Sequence, residues 1–203
     1  TAGENAAKIL EDHGARGTFY TCFDLLGTDS PSGVIASIDM VRALSEKGHE
    51  IGCHTYDHIN CSFVGGKRAA ESCATNKKAA AALGIRMDHF AYPQGGMSPA
   101  TKKVMKENFI SARSILPGIN QGTLDRHCLK SVPFYERYSH EDIFNRIDQV
   151  DREDGWLILY THDVSANPSR YGASEQLFQK AVSYCTNKNL PIKTIREFLK
   201  QEN

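Results

Sequence analysis

The sequence predicts an α/β domain, built as a mostly parallel sheet or barrel with helices outside. Three observations predict it. Helical and strand-like segments alternate along the whole chain, internal repeats and low-complexity stretches are absent, and 203 residues suit one such domain with a sizeable core.

The elements follow in order. Ala2 to His13 reads as a helix with Ala6, Ile9 and Leu10 on one face, and Gly14 supplies its C-terminal stop. Gly17 to Cys22 reads as a strand. Ile38 to Glu46 has helical period, and Glu50 to Cys53 is a short apolar strand after Lys47-Gly48-His49. Lys67 to Leu83 is a helix with an alanine-rich face, and Met87 to Tyr92 returns to strand. Ser98-Pro99 places a capping side chain before a proline suited to a first helical turn, so a helix runs to about Glu107. Phe109 to Arg113 is another strand, and Ser139 caps a helix to about Val150. Trp156 to Tyr160 is expected to be a fully buried strand because its apolar run is unbroken. Ser174 to Cys185 is helical and Leu190 to Lys193 is the expected last strand. Thr194 to Glu197 forms a capping box that opens the terminal helix.

Composition narrows the function. Twenty-four basic and 24 acidic residues cancel, so no global field draws the chain to nucleic acid or an anionic membrane. No apolar run approaches the roughly 18 residues of a membrane span, and the first residues lack a charged-then-apolar signal pattern, so a soluble chain is expected. The six cysteines show no CxxC spacing and are expected to be buried free thiols. Compartment and oligomeric state stay open.

Parallel strands bring their C-terminal ends to one rim, where α/β barrels carry their active sites. The loops after the strands hold the unusual residues: Asp24, then His54 and His58, then Tyr92-Pro93-Gln94-Gly95-Gly96, then Arg113, then Thr161-His162-Asp163. Two imidazoles four residues apart can grip one divalent metal ion, the proline-glycine turn exposes backbone donors, and a third histidine follows an apolar strand. That set fits metal-assisted hydrolysis.

The same residues carry a resemblance to the polysaccharide deacetylase family, carbohydrate esterase family 4, over nearly the whole length. Its H-[ST]-x-x-H metal motif is matched by His54-Thr55-Tyr56-Asp57-His58 after the approach Gly48 to Gly52. Its third motif is matched by Phe90-Ala91-Tyr92-Pro93-Gln94-Gly95, with Ala91 where an arginine is usual, as in the Tyr-Pro subgroup. Its leucine-any-histidine motif is matched loosely by Leu159-Tyr160-Thr161-His162. The resemblance implies a distorted (β/α) barrel and removal of an N-acetyl or other N-acyl group from an amino sugar in a polysaccharide or oligosaccharide. It implies a divalent metal ion, zinc foremost, held by His54 and His58. The family's first strand ends in T-F-D-D, which supplies a general base and a third metal ligand. This sequence begins where that motif would finish, so both aspartates and the first strand are expected upstream of Thr1.

Roles follow from the resemblance and are weighed against plainer ones. His162, protonated, would give its proton to the departing amine, or else be a core imidazole. The N–H of Gln94 after Pro93 would stabilise an oxyanion. Tyr92 and Pro93 would line the substrate groove, although Tyr92 could as well pack under the turn. Asp24 and Asp57 could complete a coordination shell, but solvated loop carboxylates are commoner. Arg113 could replace the missing arginine, Trp156 reads as core, and His13, His49, His89, His127 and His140 read as structural. Hydrolysis of a non-sugar amide or imide, or a non-catalytic carbohydrate-binding relic, are the alternatives.

Overall fold

The computed structural model describes residues 2–153 and 155–201. A π-helical turn (Ala2–Ala6) runs into helix α1 (Ala7–Asp12), and Gly14 at φ 68° ends it, with Gly14 and Ala15 N–H groups donating back to Glu11 and Leu10. Glycine adopts that left-handed backbone without a Cβ penalty, which is why the stop is legible. Then come β1 (Thr18–Thr21), a small hairpin of β2 (Asp29–Ser30) and β3 (Gly33–Val34), α2 (Ile38–Glu46), β4 (Glu50–Cys53) and α3 (Gly66–Ala81). They are followed by β5 (His89–Ala91), α4 (Pro99–Asn108), β6 (Ser111–Arg113), β7 (Val132–Pro133), α5 (His140–Glu153) and β8 (Leu159–Tyr160). A parallel pair, β9 (Val164–Ser165) and β10 (Ala173–Ser174), precedes α6 (Glu175–Asn187) and α7 (Ile195–Gln201). The caps read from sequence form: Ser98 accepts from Thr101 N, Ser139 from Asp142 N, and Thr194 exchanges bonds with Glu197.

The central sheet is parallel throughout, in the order β1-β4-β5-β6, with Thr18 opposite Glu50, Cys53 opposite Phe90 and His89 opposite Ser111. A parallel bridge from Arg113 to Leu129 leads on to β7, which pairs with β8 through Val132 and Leu159. The result is the curved wall of a distorted barrel. β4 is buried along its whole length, as a parallel strand covered on both faces must be. Its outer face packs with α2, α3 and α4 through Val41, Leu44, Ile51, Phe90 and Met105. A second cluster of Phe134, Ile143, Ile147 and Leu177 seats α5 and α6. All six cysteines are free thiols, four of them buried.

Two expectations fail. Leu190 to Lys193 forms no strand: a strand exists only against a neighbour, and none pairs with this segment among the described residues. Ile192 packs instead with Leu10, Ala15 and Val182. Trp156 to Tyr160 is not one buried strand either. Only Leu159 and Tyr160 pair as strand, both half-buried, while Trp156 makes an isolated bridge to Asn120 and stacks on Phe198 at 4.0 Å. The apolar run divides its contacts: Trp156 and Ile158 pack on the terminal helix, while Leu157 and Leu159 face the α5–α6 cluster.

One side chain ties the helices to the strand ends. Asn76 on α3, with no exposed surface, accepts from Phe23 N (2.9 Å) and donates to Thr21 O (2.8 Å) and towards Cys53 Sγ (3.3 Å). Asn76→Ala would leave Phe23 N without its acceptor just below the rim, while Thr21 O keeps its bond from His54 N, so the urea midpoint is expected to fall by the equivalent of about 1–3 kcal/mol. An unchanged midpoint would refute the assignment.

Candidate active site

The rim forms because the parallel register delivers Cys22, His54, Tyr92 and Ser114 together at the C-terminal ends of β1, β4, β5 and β6. His54 follows β4 directly, its N–H donating to Thr21 O at 3.1 Å. Its Nδ1 sits 2.7 Å from Ala91 O, which makes Nδ1 the protonated nitrogen and leaves Nε2 with a free lone pair. The His58 ring stands 4.9 Å away, centroid to centroid, with 67° between the planes. Neither nitrogen of His58 has a hydrogen-bond partner among the described residues. Burial pushes the pKa of both imidazoles down, and for His54 the neighbouring His58 and Arg113 push it further. Two neutral imidazoles with free lone pairs are a donor set that fits a divalent cation.

Backbone strain is concentrated here. Thr55, His58 and Gln94 have φ of 62°, 54° and 55°, and a left-handed β-branched residue such as Thr55 is a genuine outlier. Thr55 is fully buried, with its hydroxyl accepting from Ile59 N at 3.2 Å. The exposed Gln94 accepts at its side chain from Asn60 Nδ2 (2.9 Å), while its own N–H has no protein acceptor among the described residues. The turn that raises this N–H is tight: a Cβ on Gly95 (φ 71°) would lie 2.2 Å from Ile115.

A continuous run of rings connects the histidine pair with His162. Tyr20 lies 6.5 Å from His54, and the Arg113 guanidinium is held between Tyr20 (5.2 Å) and Tyr160 (4.6 Å). Tyr160 and Tyr135 then approach the His162 ring at 6.3 and 5.8 Å, and the Tyr135 hydroxyl is 3.4 Å from His162 Nδ1. Solvent reaches His162, yet the crowding protein and the Arg113 charge lower its pKa, partly offset by the Tyr171 backbone and Asp163. Arg113 has no carboxylate partner among the described residues.

His54 and His58 are therefore linked to His162 along the strand-end rim through Tyr20, Arg113 and Tyr160, near enough for the charges of these histidines to bear on one another. Other expectations need correction. Tyr92 is 1% exposed, its hydroxyl donates to His127 O at 3.2 Å, and its ring packs on Phe90. Pro93 is buried too, so both residues pack beneath the turn, the plainer of the two roles weighed for Tyr92. The apolar Tyr-Pro pair is worth more as packing than as exposed surface. Asp57 faces α3, paired with Arg68 and accepting from Ser72 Oγ at 2.6 Å. Burial works against its ionisation, but Ser72 and Arg68 prevail and hold its carboxyl below the usual range. Asp24 is exposed on its own turn. No group of three His, Cys, Asp or Glu side chains able to hold a metal occurs among the described residues. The sequence reading missed Tyr20, Tyr135, Tyr160, Tyr171 and Asn60. Tyr135 follows β7, a strand of two residues and too short to leave a periodic signal.

Fold and cleft define a barrel-like parallel α/β domain with three histidines at its strand-end rim. A model of the polysaccharide deacetylase family matches residues 1–111, more than half of the sequence, and the chain belongs to that family. The curated protein YlxY of Bacillus subtilis (strain 168), itself uncharacterised, is 26% identical over 105 residues, covering 51% of this chain and 30% of YlxY. Among solved structures, a family 4 acetyl xylan esterase from Clostridium thermocellum, in complex with a cobalt ion, matches with TM-score 0.66 at 16% identity. That match covers 97% of this chain and 83% of the esterase. A carbohydrate esterase family 4 pseudoenzyme from Bacillus anthracis matches with TM-score 0.61 at 14% identity, over 96% of this chain and 59% of its own. The chain spans less than a third of YlxY. At these identities the structural likenesses speak for the fold.

The free Nε2 of His54 and the unpartnered ring of His58 generate a direct test. Zinc or cobalt(II) titrated into the protein is expected to bind at one equivalent, and His54→Ala or His58→Ala is expected to abolish stoichiometric binding. Equal metal content in variant and parent by elemental analysis would remove both residues from the site.

Proposed function

We propose that this domain is a metal-dependent hydrolase that removes an N-acetyl or other N-acyl group from an amino sugar in a polysaccharide or oligosaccharide. The single observation that supports the reading is the unbroken line of contacts that joins the His54–His58 pair to His162 along the rim through Tyr20, Arg113 and Tyr160. Family membership supports the reaction class. The likeness in fold to an acetyl xylan esterase from Clostridium thermocellum supports deacylation of a carbohydrate, though of an ester where an amide is proposed here.

His54 and His58 would hold the cation, zinc foremost, and when bound it supplies Lewis-acid polarisation of the acyl carbonyl and acidifies the attacking water. The remaining work falls to the chain's own groups. Ala91 O fixes the His54 tautomer, so that Nε2 and not Nδ1 is presented. The Gln94 N–H, held up by a strained turn, is the donor for the oxyanion, a contact worth about 3 kcal/mol in a site of this kind. His162 is the proton donor to the leaving amine. Its lowered pKa makes it a stronger acid once protonated but leaves it mostly neutral at pH 7, so a nearby carboxylate is needed to raise it. By the family resemblance the T-F-D-D motif would supply that carboxylate as general base and third ligand. Arg113, a cation on the rim with no acid beside it among the described residues, is where it would sit.

A second reading has its own observation: without three clustered ligands among the described residues, the domain could bind carbohydrate without turning it over, as a relic. Acetate release from N-acetylated oligosaccharides, with and without chelator, separates the two. In a protein that carries the family's T-F-D-D motif, chelator-sensitive release is expected, and His162→Ala is expected to slow turnover about 100-fold with metal content intact. Unaltered turnover in His162→Ala would dismiss it as the acid, and absence of release from every oligosaccharide would favour the relic.

A further inference from the structure

Four basic side chains elsewhere on this surface meet acids, Arg42 with Asp39, Arg68 with Asp57, Lys102 with Asp125 and Lys188 with Asp148, while Lys77 and Lys180 each lie singly over a phenylalanine ring. Arg137 and Arg170 differ. Among the described residues neither has a carboxylate partner, and both guanidinium groups lie against tyrosine rings. Arg137 Cζ is 5.0 Å from the Tyr138 ring, 5.4 Å from Tyr135 and 5.5 Å from Tyr171, and Arg170 Cζ is 4.9 Å from Tyr171. Tyr135 and Tyr171 are the rings that flank His162, at 5.8 and 5.6 Å. Two exposed cations thus border the acid end of the cleft.

The acids that could neutralise them are engaged elsewhere. Asp163, buried at the foot of the loop that carries Arg170, accepts from Ser169 N (2.9 Å) and Ser169 Oγ (2.5 Å). Glu136, next to Arg137 in sequence, accepts from Ser174 N (2.9 Å) and pairs with His140 (3.2 Å). The whole chain has no net charge, so this positive edge is a local arrangement and not a by-product of a basic protein. Stacking restrains two long side chains while leaving most of their N–H donors unspent: of these, only one from Arg137 is used, on the Tyr138 hydroxyl at 3.2 Å. Restrained guanidinium forks with open donors suit an oxyanion, which they can bind bidentately. Tyr138, stacked on Tyr135 at 5.6 Å and 43% exposed, offers a ring face beside them.

We propose that the sugar chain this cleft accepts is anionic, and that Arg137 and Arg170 bind a carboxylate or phosphate carried by that chain beside the acylated amine. The inference rests on the function proposed above for the same site, and it narrows the substrate to acidic amino-sugar polymers.

Binding separates it from catalysis. The probes are a tetrasaccharide alternating N-acetylglucosamine with glucuronic acid, its carboxyl-reduced neutral form, and a 6-phosphorylated N-acetylglucosamine tetramer. Calorimetric titration is expected to give about 10-fold tighter binding of an anionic probe than of the neutral one, with the advantage shrinking as salt is raised. Preference for the uronate over the phosphate, or the reverse, assigns the oxyanion. The doubly substituted Arg137→Ala, Arg170→Ala protein is expected to bind all three probes alike. Equal binding by the parent protein at low salt overturns the inference, as does a preference that survives the double substitution. If the double variant fails to fold, the single Arg170→Ala protein, altered at an exposed loop position, serves instead: a weakened anion preference is expected, and an unchanged one overturns the inference. Acetate release measured on the same probes tests the catalytic reading alone: failure to release acetate leaves the binding comparison to stand or fall by itself.

Discussion

The cleft depends on a missing side chain. Gly52 lies on β4, and a Cβ there would come within 2.5 Å of the Tyr20 ring, closer than packed carbon atoms approach. Tyr20 can lie across the strand only because that position is glycine. Its ring then forms one side of the cage around Arg113, with Tyr160 from β8 as the other. The two ends of the curved wall meet at this cation. Removing the space at Gly52 would displace Tyr20, and with it the group that joins the histidine pair to the His162 side of the rim.

Arg113 sets the electrostatics of what it joins. Burial lowers its pKa, yet a guanidinium starts so high that it stays charged. Its field reaches His54 and His162 and pushes both toward the neutral form. The two demands differ in sign: a metal ligand must be neutral, whereas a proton donor must be charged. The cleft as described therefore satisfies the ligand histidine and starves the acid. Negative charge entering it, from a catalytic carboxylate, from an acidic substrate or from both, would relax that tension at the acid. The same entry would give Arg113 the partner it lacks.

How much of this the sequence disclosed depends on the kind of signal each residue leaves. Glycine stops, caps and apolar periods are local, so α1, α2, α3 and α4 and the strand at Glu50–Cys53 were legible, and parallel pairing placed His54, His58 and His162 at one rim. The resemblance sharpened their roles without changing where the strands end. Tyr92 went the other way: its motif position suggested a groove wall, but a buried hydroxyl bonded to His127 O is a tertiary fact that no local pattern carries. The Leu190–Lys193 strand failed because strand formation needs a neighbour. The tyrosines around Arg113, Arg137 and His162 come from two loops and two short strands far apart in the sequence, so only folding brings them together.

The approach to the metal motif, Gly48 to Gly52, combines two jobs that lie at opposite ends of one short strand. At the far end from the rim, Glu50 Oε2 accepts from Thr18 Oγ1 (2.8 Å) and Arg196 N (3.0 Å), tying β4 to β1 and to the start of α7. His49 reaches Glu11 at 3.1 Å and accepts from Gly17 N, tying α1 to the same strand. Burial raises the Glu50 pKa and lowers that of His89, its neighbour at 3.5 Å, to about 4. That end is a place where burial works against charge and hydrogen bonds hold the elements together. Four residues later the strand emerges at His54, where open lone pairs face the cleft. A parallel strand in such a wall buries its middle and exposes only its exit, so a single run of nine residues can be anchored at Glu50 and reactive at His58. The length of β4 sets that separation, and a shorter strand would pull the anchoring carboxylate toward the histidines it must not reach.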